Sequence, residues 1–266
     1  MPCKNFGRIT KLAILGTGGT FKMWKPARVT IIGGSTASGH SVEQAKTFGC
    51  LVAENLGVPF IFYTSDLAKI ADLNETVKTR EISEDDLVLI LAGIGDSWPQ
   101  PQGIFAKILP PSWRGAGKLN PAARKSRSLV KRIRQRIRHF MKFSIKMFFW
   151  ILGFYRPDTS KADFAREVRS ITDTLNTVNC RTIWMFPQKP RIFSTFIELN
   201  TVRKYVGLIT TELERTPNPR IFPLDINTVI DDQADILGDG LHLAESGHAK
   251  VATEIVRLFN ESVAGS

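Results

Sequence analysis

Short runs of consecutive apolar residues alternate along this chain with stretches in which apolar positions return every three or four residues. Val29 to Ile32, Phe60 to Tyr63, Leu87 to Leu91, Thr182 to Phe186 and Ile221 to Leu224 read as strands. The run at 87–91 is apolar throughout, the pattern of a strand buried on both faces of a parallel sheet. Helical spacing appears at Val42, Ala45, Leu51, Val52 and Leu56, where Gly57 stops it. It returns at Ala165, Val168, Ile171, Leu175 and Val178, behind the candidate N-caps Asp158, Thr159 and Ser160. Phe196, Leu199, Val202, Val206, Ile209 and Leu213 mark a third helix. A last one runs from about Glu245 to Phe259, with Ala249, Ala252, Ile255, Val256 and Phe259 inward. Strands alternating with helices predict an α/β fold: a doubly wound, flavodoxin-like parallel sheet of five strands, with functional groups at the carboxyl ends of the strands.

Charge breaks the pattern in one place. From Ser97 to Tyr155 there is no Asp or Glu but there are thirteen Lys and Arg. Of 36 basic and 25 acidic residues in the 266-residue chain, removing those thirteen leaves 23 against 25, a net of −2. The sequence pI of about 9.8 therefore belongs to one segment, and a nucleic-acid footprint over the whole surface is not expected. Within the segment, apolar residues at 130, 133, 137, 140, 141, 145, 148 and 152 follow helical spacing with Arg and Lys between them. This basic amphipathic insert, bounded at 97–157, fits an anionic membrane surface through residues 124–152, a cap over a substrate, or a solvated helix docked by its apolar stripe.

The longest apolar run, Met147 to Tyr155, has nine residues including Gly153, far below the roughly 20 that span a bilayer as a helix. Lys4, Arg8 and Lys11 precede Leu12 to Leu15, but Gly16, Gly18 and Gly19 interrupt the apolar stretch, so a cytoplasmic protein, peripheral to the membrane at most, is expected. Residues 1–25 read as an N-terminal extension. Cys3, Cys50 and Cys180 are too scattered for a disulfide framework or a zinc site. No metal or cofactor is expected.

Candidate chemistry begins where the first strand ends, in Gly33-Gly34-Ser35-Thr36-Ala37-Ser38-Gly39. A serine among small residues at a strand's carboxyl end is placed as a nucleophile would be, and needs a base to take its proton. Of four histidines, His242 has a carboxylate at a short offset in a loop before a helix: Gly238-Asp239-Gly240-Leu241-His242. An Asp three residues before a His can hold one ring nitrogen while the other faces a serine.

Ser35 in its Gly-Gly-Ser-Thr loop, Gly93-Ile94-Gly95-Asp96 after the third strand, and Asp239-Gly240-Leu241-His242 followed by Gly247-His248 resemble, in that order, the blocks of the SGNH (GDSL-type) hydrolases. The resemblance covers residues 26–266 apart from the insert. It implies a serine-dependent ester hydrolase or acyltransferase that works through an acyl-enzyme. Ser35 would be the nucleophile, His242 the base and Asp239 its partner. The N–H groups of Ser35 and Gly95 would hold the oxyanion, and Gly34, Gly93 and Asp96 would form active-site loops. Two positions depart from the family: Gly34 stands where an Asp is usual, and Gly95 where an Asn side chain helps bind the oxyanion.

Gly93-Ile94-Gly95-Asp96-Ser97-Trp98-Pro99, then Leu109-Pro110-Pro111-Ser112-Trp113-Arg114, resemble one branch further, the mycobacterial diglucosylglycerate octanoyltransferases. That branch also lacks the Asn and carries a basic, Trp-containing insert. The partners implied are an acyl donor and a sugar or glycerate acceptor. The rival reading is a non-catalytic membrane-associated or binding protein on the same scaffold.

Overall fold

The computed structural model describes residues 24–65, 68–108, 129–189, 196–231 and 234–264. All but two residues of the expected N-terminal extension, and the Leu109 to Arg114 part of the branch resemblance, lie outside them.

The five predicted strands form at β1 (Arg28–Gly33), β2 (Phe60–Thr64), β3 (Asp86–Leu91), β6 (Arg181–Phe186) and β7 (Ile221–Asp225). All their pairings are parallel, in the order β2-β1-β3-β6-β7. Ranked by chain position among themselves, these strands follow the order 2-1-3-4-5 of the flavodoxin-like topology, whose direction of winding reverses between β1 and β3. The expected doubly wound α/β sheet is therefore present.

Alternation along the strands builds two apolar layers. Val29, Ile31, Leu87, Leu89, Leu91, Ile183 and Met185 pack on one face against α2 (Phe48–Leu56) and the C-terminal helix. Ile32, Val88, Ile90 and Trp184 pack on the other against α3 (Ile70–Thr79), α7 (Lys161–Val178) and α8 (Phe196–Arg215). All six residues of β3 are buried: the apolar run 87–91, and Asp86, whose carboxylate accepts from the Arg28 guanidinium.

Four helical features differ from the expectation, each for a local reason. The helix expected from Val42 starts only at Phe48, because Gly39 and Ser41 take positive φ angles of 78° and 61° and turn the chain first. A side chain on Gly39 would meet Thr47 Cγ2 at 2.2 Å, so the turn needs glycine for space as well as conformation. No helix was expected at 70–79, where Ile70, Leu73 and Val77 are buried at helical spacing and Asp72 accepts the Lys69 N–H at 2.8 Å. In α8, Leu199 is exposed and Tyr205 is buried in its place, its ring against Phe164 and its hydroxyl donating to the Thr159 carbonyl. Burial pushes that phenol up to about 12. In α9 (Glu245–Ala264), Ala249 is exposed and His248 faces inward.

The insert leaves the domain between two short antiparallel strands, β4 (Pro99–Pro101) and β5 (Tyr155–Pro157). A single helical turn, α5 (Phe105–Ile108), follows β4. The long helix of the insert, α6 (Leu129–Ile151), forms as the periodicity predicts. It is not docked by its apolar stripe, however: Ile133, Ile137, Phe140, Met141, Phe148 and Ile151 are exposed. Among the described residues no helix is long and apolar enough to cross a membrane.

Candidate active site

Two loops converge at the carboxyl edge of β1 and β3. After β1, the chain turns directly into α1 (Ser35–Ser38), with Gly34 at its N-cap. Gly33 has no room for a side chain: a Cβ would lie 2.7 Å from the Leu91 carbonyl oxygen and 2.7 Å from Ala37 Cβ. That tight strand-to-helix junction exposes the Ser35 hydroxyl at the sheet edge. Gly34 is less constrained, since a Cβ there meets only the Ser65 oxygen, at 3.8 Å.

The histidine arrives on the loop before α9, which packs in the same apolar layer as Ala37 of the serine turn. The Asp239 carboxylate accepts the N–H groups of Leu241 (2.8 Å) and His242 (3.1 Å), folding the loop back on itself. Gly240 completes the turn with φ 72°. His242 Nδ1 lies 2.6 Å from the second oxygen of Asp239, and its Nε2 lies 2.8 Å from Ser35 Oγ. Burial alone would raise the Asp239 carboxyl. The bonds from the His242 ring and from the two backbone N–H groups outweigh it and hold the group at about 2. An ionised Asp239 requires Nδ1 to carry the proton, which leaves the Nε2 lone pair facing the serine O–H.

The structure thus brings Ser35, His242 and Asp239 into one hydrogen-bonded chain. Beside it lies a pocket of about 380 Å³, whose lining includes Gly34, Gly93, Ile94, Gly95, Trp98 and Gln188. Gly93 adopts φ 111°, a conformation that favours glycine, and starts the turn α4 (Ile94–Ser97). The N–H groups of Ser35 and Gly95 belong to the first turns of α1 and α4, where a helix offers its own N–H groups no partner.

Asp96 behaves differently from the expectation for an active-site loop. Its carboxylate is buried, does not line the pocket, and accepts the Ile70 N–H at 2.8 Å and the Thr159 hydroxyl at 2.7 Å. Burial raises its pKa. Its part is to anchor the β3–α4 loop to α3 and to the loop before α7.

Three further residues pack around this hydrogen-bonded chain in ways the sequence does not show, and one of them, Gln188, carries no motif signal. His40 stacks on His242 with ring centroids 4.3 Å apart. Gln188, fully buried, donates from Nε2 to Thr36 Oγ1 at 3.0 Å and to the Leu241 carbonyl, tying the serine turn to the histidine loop. Only its place just beyond the fourth strand of the sheet hinted at this. His248 accepts the Phe48 N–H at Nδ1 (3.2 Å) and stacks on the Phe48 ring. The ligand atoms of His40, Asp239 and His242 lie within 4.8 Å of one another, but a metal there would have to displace Ser35 or Asp239 from the His242 ring.

Burial, with a smaller contribution from His242, lowers the His248 pKa to about 4. An unfolded histidine takes its proton near 6.5, so the unfolded chain is protonated first as pH falls. Stability is complete above about pH 6.5 and falls towards pH 4 by roughly 3 kcal/mol from this residue. His248→Gln keeps an acceptor and removes the titration. The melting temperature of this variant should depend clearly less on pH between 7 and 5 than that of the wild type, and equal slopes would exclude His248 as the cause.

No family model and no curated protein matches the sequence. The solved structures give a clear answer on the fold. A lipolytic protein of the G-D-S-L family from Desulfitobacterium hafniense superposes with a TM-score of 0.56 at 12% identity, over 87% of this chain and 99% of that one.

The fold is that of the G-D-S-L lipolytic proteins.

A lipase/acylhydrolase from Enterococcus faecalis matches at 0.54 and 12% identity, over 88% of this chain and 95% of that one. Axe2, an acetylxylan esterase from Geobacillus stearothermophilus, matches at 0.55 and 16%, over 90% and 96%. The octanoyltransferase branch is not among these neighbours.

Proposed function

We propose that this protein is a serine-dependent ester hydrolase or O-acyltransferase with the triad Ser35, His242 and Asp239. One observation carries the reading: Ser35 Oγ lies 2.8 Å from His242 Nε2, while Nδ1 of the same ring lies 2.6 Å from Asp239. The relay opens on a pocket at the switch point of the sheet, where such folds bind ligands.

In this scheme Ser35 Oγ attacks the ester carbonyl carbon as its proton passes to His242 Nε2. Asp239 stabilises the imidazolium, and the N–H groups of Ser35 and Gly95 hold the oxyanion. Collapse breaks the bond to the alcohol, which leaves with the proton from His242, and the acyl group stays on Ser35. Water or a second alcohol, deprotonated by His242, then takes the acyl group. The resemblance to the diglucosylglycerate octanoyltransferases supports a sugar or glycerate hydroxyl as that acceptor.

A fluorophosphonate probe should label the wild type at Ser35, and Ser35→Ala should take up none. Labelling that survives in Ser35→Ala would refute the nucleophile. Glycerate or a glucoside added to a p-nitrophenyl octanoate assay should yield an acylated product if the enzyme is a transferase. Free octanoate alone makes it a hydrolase.

A further inference from the structure

The face that α6 presents to solvent is its apolar one. At 3.6 residues per turn, Ile133, Ile137, Phe140, Met141, Phe148 and Ile151 fall within an arc of about 100°. All six are exposed, Phe140 and Ile151 at 70% each. The opposite side meets the root of the insert: Phe149 packs on Phe105 with centroids 4.6 Å apart, and Lys146 lies over the Tyr155 ring at 5.4 Å. The stripe therefore lies on the solvent side, turned from that root. By the same geometry, positions 134 and 138 run along one border of the stripe and position 136 along the other, and all three are Arg.

We infer that α6 is an interfacial helix that seats the protein on an anionic membrane surface, with its apolar stripe in the acyl boundary and the basic borders among the headgroups. Charge selects this occupant over a second copy of the chain. Two such stripes face to face would bring their basic borders together, and no acidic residue between 97 and 155 could pair with them. An anionic leaflet attracts each Lys or Arg near it by about 1 kcal/mol, roughly a fivefold gain in affinity apiece.

Exposed apolar residues continue from the helix to its root. Ile104, Leu152 and Phe154 are exposed at the root of α6, where Phe105 packs between Phe149 and Phe154. That root joins β4, and Gln100 of β4 lines the pocket beside Ser35. An ester held in the same leaflet would have a short route to the serine.

The test is sedimentation of the full-length protein with vesicles of phosphatidylcholine, with and without phosphatidylglycerol. Binding should be at least about 100-fold tighter to the anionic vesicles and should weaken with salt. The combined variant Phe140→Ser, Phe148→Ser, Ile151→Ser should lose about 100-fold or more of that affinity at low salt, because the charge stays and the anchor goes. Arg134→Glu, Arg136→Glu, Arg138→Glu should lose a similar factor. A wild-type circular dichroism spectrum in both variants shows that they fold, and the comparison between vesicles and the salt series decide the matter without them. Equal binding to both vesicles, or none to either, overturns the inference. So does a dimer in solution that the Ser variant dissociates and that ignores vesicles. None of these outcomes depends on ester hydrolysis, so the inference and the proposed activity can fail separately.

Discussion

Ser35→Ala and His242→Ala should each lower kcat for a short p-nitrophenyl ester by roughly 10⁶-fold, and the double variant should be scarcely worse than either. The reason is the single chain of contacts, Ser35 Oγ to Nε2 and Nδ1 to Asp239. A serine without its base is an ordinary alcohol, and a base without its nucleophile has no proton to take. Losses that multiplied in the double variant would mean two independent contributions and would break the triad reading. The pocket beside the triad includes Leu91, Ala92, Ile94 and Trp98 in its lining, so KM for the same ester should change little, because neither substitution removes that apolar binding surface.

Asp239→Asn should cost kcat about 10⁴-fold, less than removing Ser35 or His242. The geometry specifies how. One oxygen of Asp239 accepts the Leu241 and His242 N–H groups, and an Asn side chain can still do so through its carbonyl. The other position, 2.6 Å from Nδ1, would then hold an amide that donates. The ring must answer with its other tautomer, protonated at Nε2, and Nε2–H cannot take the proton of Ser35. The histidine loop keeps its fold, so the melting temperature should fall far less than the activity, and substrate binding should be nearly unchanged. A collapse of thermal stability alongside activity would assign Asp239 to folding of the loop and not to the tautomer.

The strands were legible in the sequence because burial on both faces of a parallel sheet leaves continuous apolar runs, and 87–91 and 182–186 could hardly be solvated as loops. Strand order was not written locally; it followed from the alternation of strands and helices, which restricts the connections to a few topologies. Ser35, Asp239 and His242 were legible because the glycines around them mark turns at strand and helix ends, and because Asp239 and His242 need only three residues to meet. Their meeting with Ser35, 207 residues from His242, is a product of the sheet.

Elsewhere the tertiary structure decided alone. Periodicity put Ala249 inward, but the Phe48 ring and N–H one helix away claim His248, and a helix can rotate slightly at little cost to satisfy such a partner. Asp96 carries the motif position of an active-site loop, yet only the arrival of Ile70 and Thr159 shows that its carboxylate is spent on the scaffold. Gln188 bridges residues 152 and 53 positions away, a relation that no local pattern encodes. The amphipathic pattern of 129–152 was plain from the sequence, but such a pattern fixes only the contrast between two faces of a helix, not which of them turns inward. The contacts of Phe149 and Lys146 with the root of the insert turn the apolar face out.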